Sequence, residues 1–173
     1  MFRKMRRFKQ ELNETECKKI LKNEVRGVLS VIGDDGYPYG LPIDYWYDEI
    51  ENRIYFHGAK EGHKLDAIKK CNKVSFCTYD NGYRKDGEWP LYINSVIVFG
   101  KISIVNDNEK IIEICKNLCY KFTDDENYVA DELEKAGNRV CYLELIPEHI
   151  SGKLVKESLL ILHICIAAPF SIT

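Results

Sequence analysis

The chain has 173 residues, 45% of them apolar and 30% charged, a length and balance suited to one soluble domain with its own core. Its 25 basic and 27 acidic side chains leave a formal charge of -2, so there is no broad positive field to hold a nucleic-acid backbone. Seven cysteines, an odd number set mostly among apolar residues without a Cys-x-x-Cys pair, argue for reduced core thiols and against a disulfide framework or a structural metal site.

Reduced thiols point to a cytoplasmic location, and MFRKMRRFKQ at the N-terminus is basic but lacks the apolar stretch of an export signal. Asn13 and Glu16 have capping-box spacing and Leu12 with Cys17 takes the staple positions, predicting a helix over Glu14–Asn23. Strands are expected at Arg26–Ile32 and Tyr39–Tyr47, joined as a hairpin through Asp34-Asp35-Gly36. After a turn at Asp48–Asn52 come a strand at Arg53–His57, a break at Gly58–Gly62 and a helix over His63–Lys70 that turns Leu65 and Ile68 inward. Lys73–Tyr79 reads as a strand, Asp80–Pro90 as a long loop, and Tyr92–Val105 as the longest strand, with Gly100 marking a bend or bulge. Asn106 and Glu109 repeat the capping-box spacing before a helix expected to place Ile111, Ile112, Cys115, Leu118 and Cys119 on one side. A further helix at Asp125–Lys135 and a strand at Val140–Leu145, ended by Pro147, complete the pattern. Neighbouring hairpins with helices attached at intervals favour a closed or partly split antiparallel barrel over a doubly wound sheet. No Gly-x-Gly-x-x-Gly or Gly-Lys-Ser/Thr loop supports the latter. The apolar run Leu159–Phe170 is too short to span a bilayer, so the tail, residues 154–173, is expected to pack against the domain (residues 1–153) or a subunit partner.

The most informative stretch is 54–64, where an alternating apolar strand runs into Gly58, Gly62, His57, His63 and Lys64. If Gly62 opens the helix, the first-turn N–H groups are open to phosphate oxygen, and Lys64 adds a full positive charge. The same residues also suit an ordinary polar turn with solvent-facing lysines, and composition does not name the ligand. His57, at the strand end, faces either a polar ligand or solvent. Pro42 removes a backbone donor and restricts Leu41, so the Gly40-Leu41-Pro42-Ile43 strand reads as an edge or irregularity with backbone groups open to a ligand.

Taken in order, these residues resemble the flavin-binding split-barrel family that includes pyridoxamine-phosphate oxidase, and more closely its branch related to nitroimidazole-resistance proteins. The resemblance spans Met5–Lys153: Met5-Arg6-Arg7, Gly27-Val28-Leu29, Gly36-Tyr37-Pro38-Tyr39, Pro42-Ile43, Tyr55-Phe56-His57 with Gly62-His63-Lys64, Val74-Ser75-Phe76, and Tyr92 with Ser95 to Gly100. It implies a fold that is mainly β with peripheral α-helices, an antiparallel Greek-key split β-barrel of the FMN-binding type. It also implies a homodimer with two FMN molecules at the subunit boundary.

On that resemblance, Gly58, Gly62, His63 and Lys64 would hold the FMN phosphate, and Leu41, Pro42 and Ile43 would meet the flavin ring with backbone groups. Val74, Ser75, Phe76 and Ser95 would lie beside the cofactor, and Arg6 or Arg7 would approach the phosphate or steady the N-terminal arm. The expected activity is FMN-dependent transfer of electrons or a hydride from an electron donor to a small-molecule acceptor, nitroreductase-like or quinone-like, with His57 orienting the acceptor or exchanging a proton. The chain lacks the additional arginine-rich substrate site and C-terminal region of authentic pyridoxamine-phosphate oxidases. Alternatives are a non-catalytic flavin-binding or electron-carrier protein, a structural dimer that lost the cofactor site, or binding of haem or deazaflavin.

Overall fold

The computed structural model of the protein describes residues 2–136 and 140–157. Seven strands form one antiparallel sheet: β1 (Glu11–Leu12), β2 (Arg26–Ile32), β3 (Pro38–Asp48), β4 (Arg53–Ala59), β5 (Lys73–Tyr79), β6 (Leu91–Ile104) and β7 (Val140–Glu157). Their order is β1-β7-β4-β3-β2-β5-β6, and β6 pairs back onto β7, so six strands close into a barrel with β1 added at one end of β7. Four helices attach to it: α1 (Glu14–Asn23), α2 (His63–Lys70), α3 (Asn108–Tyr120) and α4 (Glu126–Ala136). This is the mainly β split barrel expected from the sequence.

Strand alternation builds the core. Leu29, Val31, Tyr45, Phe56, Phe76, Val98 and Leu143 point inward, with Phe76 edge-on to Tyr45 and Phe56 at centroid distances of 4.7 and 5.3 Å. A second cluster lies outside the barrel, where Tyr55 and Tyr142 meet Ile114, Cys115 and Leu118 of α3. The capping box of α1 is present: Asn13 Oδ1 accepts from Glu16 N–H at 2.9 Å and Glu16 Oε2 accepts from Asn13 N–H at 2.8 Å. Gly36, at φ 77°, makes the β2–β3 turn.

Two expectations fail for local reasons. Asp107, not Asn106, caps α3, its carboxylate accepting from the N–H groups of Glu109 and Lys110. Pro147 does not end the last strand, which runs on to Glu157. The register against β6 shifts between Phe99 and Gly100, whose partners are His149 and Pro147, so Glu148 is an extra residue at a bulge and the proline's missing donor falls at the irregularity. Gly100 allows the close approach, since a Cβ there would strike the Ile146 carbonyl. The expected tail boundary at 154 falls within β7, and Leu159–Phe170 lies outside the described residues. No helix among the described residues is long and apolar enough to cross a membrane.

Candidate functional site

The barrel opens between β3 and β4. Tyr45–Asp48 pairs with Arg53–Phe56, but beyond Tyr45 the strands part: Pro38–Asp44 stays with β2 while His57–Ala59 follows β7. Among the described residues one edge of the Leu41–Ile43 backbone therefore has no strand partner, which leaves its outward N–H and C=O groups as candidates to bind a ligand. The side chains of Leu41 and Ile43 pack against the barrel core, so only backbone at these positions can serve, while Pro42 is exposed.

Gly58 sits at the mouth of this split, and the Lys64 side chain lies directly over it. A Cβ built on Gly58 would come 2.5 Å from Lys64 Nζ, an approach that the absence of a side chain makes possible. Lys64 is half-buried and no ion pair or hydrogen bond engages its ammonium among the described residues. Burial pushes its pKa below the usual lysine value, with the Cys141 thiol opposing. A partly desolvated cation without a counter-ion is the complement of an anion.

The start of α2 points the same way. Its N-cap, Gly62 at φ 118°, has no side chain to bond the first turn, and the internal ladder begins with Leu65 N–H to Gly62 C=O at 2.9 Å. The N–H groups of His63 and Lys64 precede that bond and have no partner within the helix. The donor set fits a phosphate. The His63 ring turns aside, stacked on Tyr39 at 4.5 Å with Nε2 3.9 Å from Asp34, so its contribution here is its backbone.

His57 points to the other face of β4. Alternation sends Ile54, Phe56 and Gly58 toward the barrel interior and Tyr55 with His57 toward the helices. There the imidazole joins Asp44 of β3 and Tyr142 of β7 in the wall of a 460 Å³ cavity closed by Cys115, Leu118 and Phe122. The ring reaches solvent at the rim, yet crowding by protein lowers its pKa; Asp44 opposes this and Lys64 adds to it. Burial thus favours the neutral imidazole, which can donate from one nitrogen and accept at the other. The sequence hinted at this cavity only through the shared helical face of Cys115 and Cys119; Asp44 and Tyr142 carried no signal of their own.

Other expected residues lie elsewhere in a single chain. Val74 and Phe76 are buried in the barrel, leaving only their backbone to meet a ligand. Ser75 stands on the outer sheet face between Ser30 and Phe99, in a 370 Å³ hollow that Phe2 overlies. Ser95, farther along β6, pairs with Tyr79 and Lys153. Two strands, β2 and β3, separate β5 from β4, which keeps Ser75 from Lys64, and Ser95 meets β7 at Lys153, far along that strand from the Cys141 that pairs with Gly58. Arg6 and Arg7 are exposed ahead of β1, which pairs with Lys153, whereas Gly58 pairs with Cys141 near the opposite end of β7. No metal-binding cluster of His, Cys, Asp and Glu exists among the described residues.

Solved structures share this fold. A candidate 5-nitroimidazole antibiotic resistance protein from Bacteroides thetaiotaomicron is 16% identical, with 84% of this chain and 87% of that one covered at a TM-score of 0.69. The conserved hypothetical protein Rv2991 of Mycobacterium tuberculosis is 16% identical over 98% of this chain and 97% of that one, TM-score 0.73. The FAD binding protein of Mycobacterium smegmatis is 19% identical over 86% and 99%, TM-score 0.62. No curated protein matches the chain in sequence. The family model described as pyridoxamine 5'-phosphate oxidase matches residues 13–154, most of the chain, including all of β2 to β6 and β7 up to Leu154, and with the split barrel this makes the protein a member of the pyridoxamine 5'-phosphate oxidase family.

Proposed function

We propose that the protein is an FMN-dependent oxidoreductase that passes electrons or a hydride to a small molecule, and that it works as a homodimer with two FMN sites at the subunit boundary. The observation that carries the reading is the half-buried Lys64 ammonium over Gly58, without an ion pair or hydrogen bond among the described residues, on a helix whose N-cap bonds no first-turn N–H through a side chain. The flavin phosphate supplies the missing counter-charge, and the unpaired Leu41–Ile43 backbone edge offers hydrogen bonds to the ring. Bound there, the flavin supplies the redox chemistry. This chain positions it, and neutral His57 orients an acceptor or exchanges a proton with it from the far face of β4.

The dimer reading is supported by the outer face of β2, β5 and β6. Val28, Cys77 and Ile97 lie side by side there, as do Ser30, Ser75 and Phe99, and Val28, Ile97 and Phe99 are each more than a third exposed. A contiguous apolar patch of this kind suits a subunit contact. Such a contact would also give Ser75, Ser95 and the N-terminal arginines a route to the cofactor of the opposite subunit.

A structural relative named for FAD binding favours FAD as the second reading of the flavin. The test is an absorption spectrum of the purified protein followed by mass identification of the released chromophore. FMN supports the proposal, FAD selects the second reading, and a colourless protein that does not take up either flavin overturns both.

A further inference from the structure

The helix that carries Lys64 begins without a side-chain cap. Gly62, at φ 118°, brings glycine's backbone freedom to that point, and the buried anchors of α2, Leu65, Ala67 and Ile68, all follow its first two residues. Helix ends fray unless something holds them, so the direction of the His63 and Lys64 N–H groups needs support from outside the helix. The β2–β3 hairpin gives it. Tyr39 leans on the barrel core beside Leu41 and Ile43, and its ring lies flat against the His63 imidazole, centroids 4.5 Å apart and planes 14° from parallel. The turn meets the same imidazole: a Cβ on Gly33 would stand 3.4 Å from His63 Nε2, and Asp34 places Oδ2 3.9 Å from that nitrogen while its Oδ1 pairs with Lys70 in the last turn of α2. Gly33 N–H to Tyr37 C=O at 2.8 Å and Gly36 N–H to Gly33 C=O at 3.1 Å close the turn and fix its residues in place. Asp34 is exposed and an exposed ion pair contributes little, so the stack on Tyr39 carries most of the hold.

We infer that Tyr39 is a positioning residue for the phosphate grip: by stacking on the His63 ring it fixes the uncapped start of α2, so that the His63 and Lys64 N–H groups are held ready for an anion. The inference rests on the reading of Lys64 as the partner of a flavin phosphate. On that reading β3 serves both ends of the cofactor. Tyr39 stands two to four residues from the Leu41–Ile43 edge, about 7–13 Å along a strand that rises about 3.3 Å per residue, so one rigid element sets the spacing between the ring contact and the phosphate contact. Riboflavin has the same ring and no phosphate. Loosening the stack therefore weakens FMN and spares riboflavin, a selectivity that a general loss of structure does not produce.

The test is fluorescence titration of the full chain with FMN and with riboflavin, in the wild type, Tyr39→Phe, Tyr39→Leu, His63→Ala and the double variant Tyr39→Leu with His63→Ala. Tyr39→Leu and His63→Ala should each raise the FMN Kd about threefold to tenfold, the worth of one aromatic pair. The double variant should lose no more than either single one, because both remove the same contact. Tyr39→Phe keeps the stack and should keep the FMN affinity, and the riboflavin Kd should stay unchanged throughout. Equal losses for FMN and riboflavin, additive losses in the double variant, or an FMN Kd indifferent to Tyr39→Leu overturns the positioning role and leaves the flavin reading standing. A wild type that binds FMN no more tightly than riboflavin overturns the phosphate reading, and the role of Tyr39 with it.

Discussion

Replacing Lys64 with Met keeps the aliphatic stem that spans Gly58 and removes the charge. A charge-assisted hydrogen bond to phosphate contributes about 1.5–3 kcal/mol, so the FMN Kd should rise about tenfold to hundredfold. Thermal shift reads this directly. With free FMN at about a hundred times the wild-type Kd, binding stabilises the fold by about 2.7 kcal/mol; a hundredfold weaker variant keeps only about 0.4 kcal/mol. For a chain of this size the flavin-induced rise in Tm should fall from about 5–11 °C to about 1–2 °C. The flavin-free variant should be no less stable than the wild type, because the ammonium is half-buried without a partner. The pH dependence carries the same sign. The folded-state pKa of Lys64 is depressed, so flavin-free stability should rise as pH climbs through that value toward the ordinary 10.5, and Lys64→Met should abolish the rise. An undiminished FMN-induced shift in the variant would refute the reasoning.

Gly58→Ala puts a methyl group where Lys64 Nζ now lies, and because that atom ends a flexible chain the fold should survive while FMN binding weakens; flavin titration of the variant, with circular dichroism as the control, checks both halves. His57→Gln should retain flavin and lower turnover. Because burial depresses the His57 pKa, wild-type stability includes a part that is lost as pH falls below the ordinary 6.5, and the variant should lack that loss in urea melts between pH 7 and 5. The buried Tyr45 hydroxyl lies beside Thr78, whose Oγ1 donates to the Arg26 carbonyl at 2.7 Å and keeps only its acceptor side for the phenol, so Tyr45→Phe removes at most one neutral hydrogen bond and should change stability by about 1 kcal/mol or less in denaturant titration. Ile97→Lys, on the exposed β6 face, should shift a dimer toward monomer in sedimentation and release flavin in proportion, and an unchanged mass would remove the interface assigned to that face.

Most strands and helices could be read from the sequence because local signals and burial agree there. Asn13 and Glu16 cap α1 as their spacing implies, and the alternation in Arg26–Ile32 is the alternation of burial in β2. The failures are positions where two local signals compete. Asp107 outdoes Asn106 because its carboxylate reaches two N–H groups, and Pro147 sits inside a strand because a bulge absorbs its missing donor. The candidate phosphate grip could be proposed from the sequence because one continuous segment, 57–64, carries its residues. A split barrel was expected, but the place of the split was not: it lies where β3 and β4 exchange partners for β2 and β7, a long-range event no local pattern encodes. For the same reason the opposed orientation of His57 and Lys64 on one strand, and the joining of Asp44, Tyr142 and α3 around a cavity, appeared only with the fold.

The central claim is that a flavin phosphate neutralises Lys64 at the mouth of the barrel split. A crystal structure of the chain loaded with FMN tests it most directly. The account predicts phosphate oxygens within hydrogen-bond distance of Lys64 Nζ and of the first N–H groups of α2, with the ring along the Leu41–Ile43 edge. A phosphate seated elsewhere, with the Lys64 ammonium still unpaired, would contradict it.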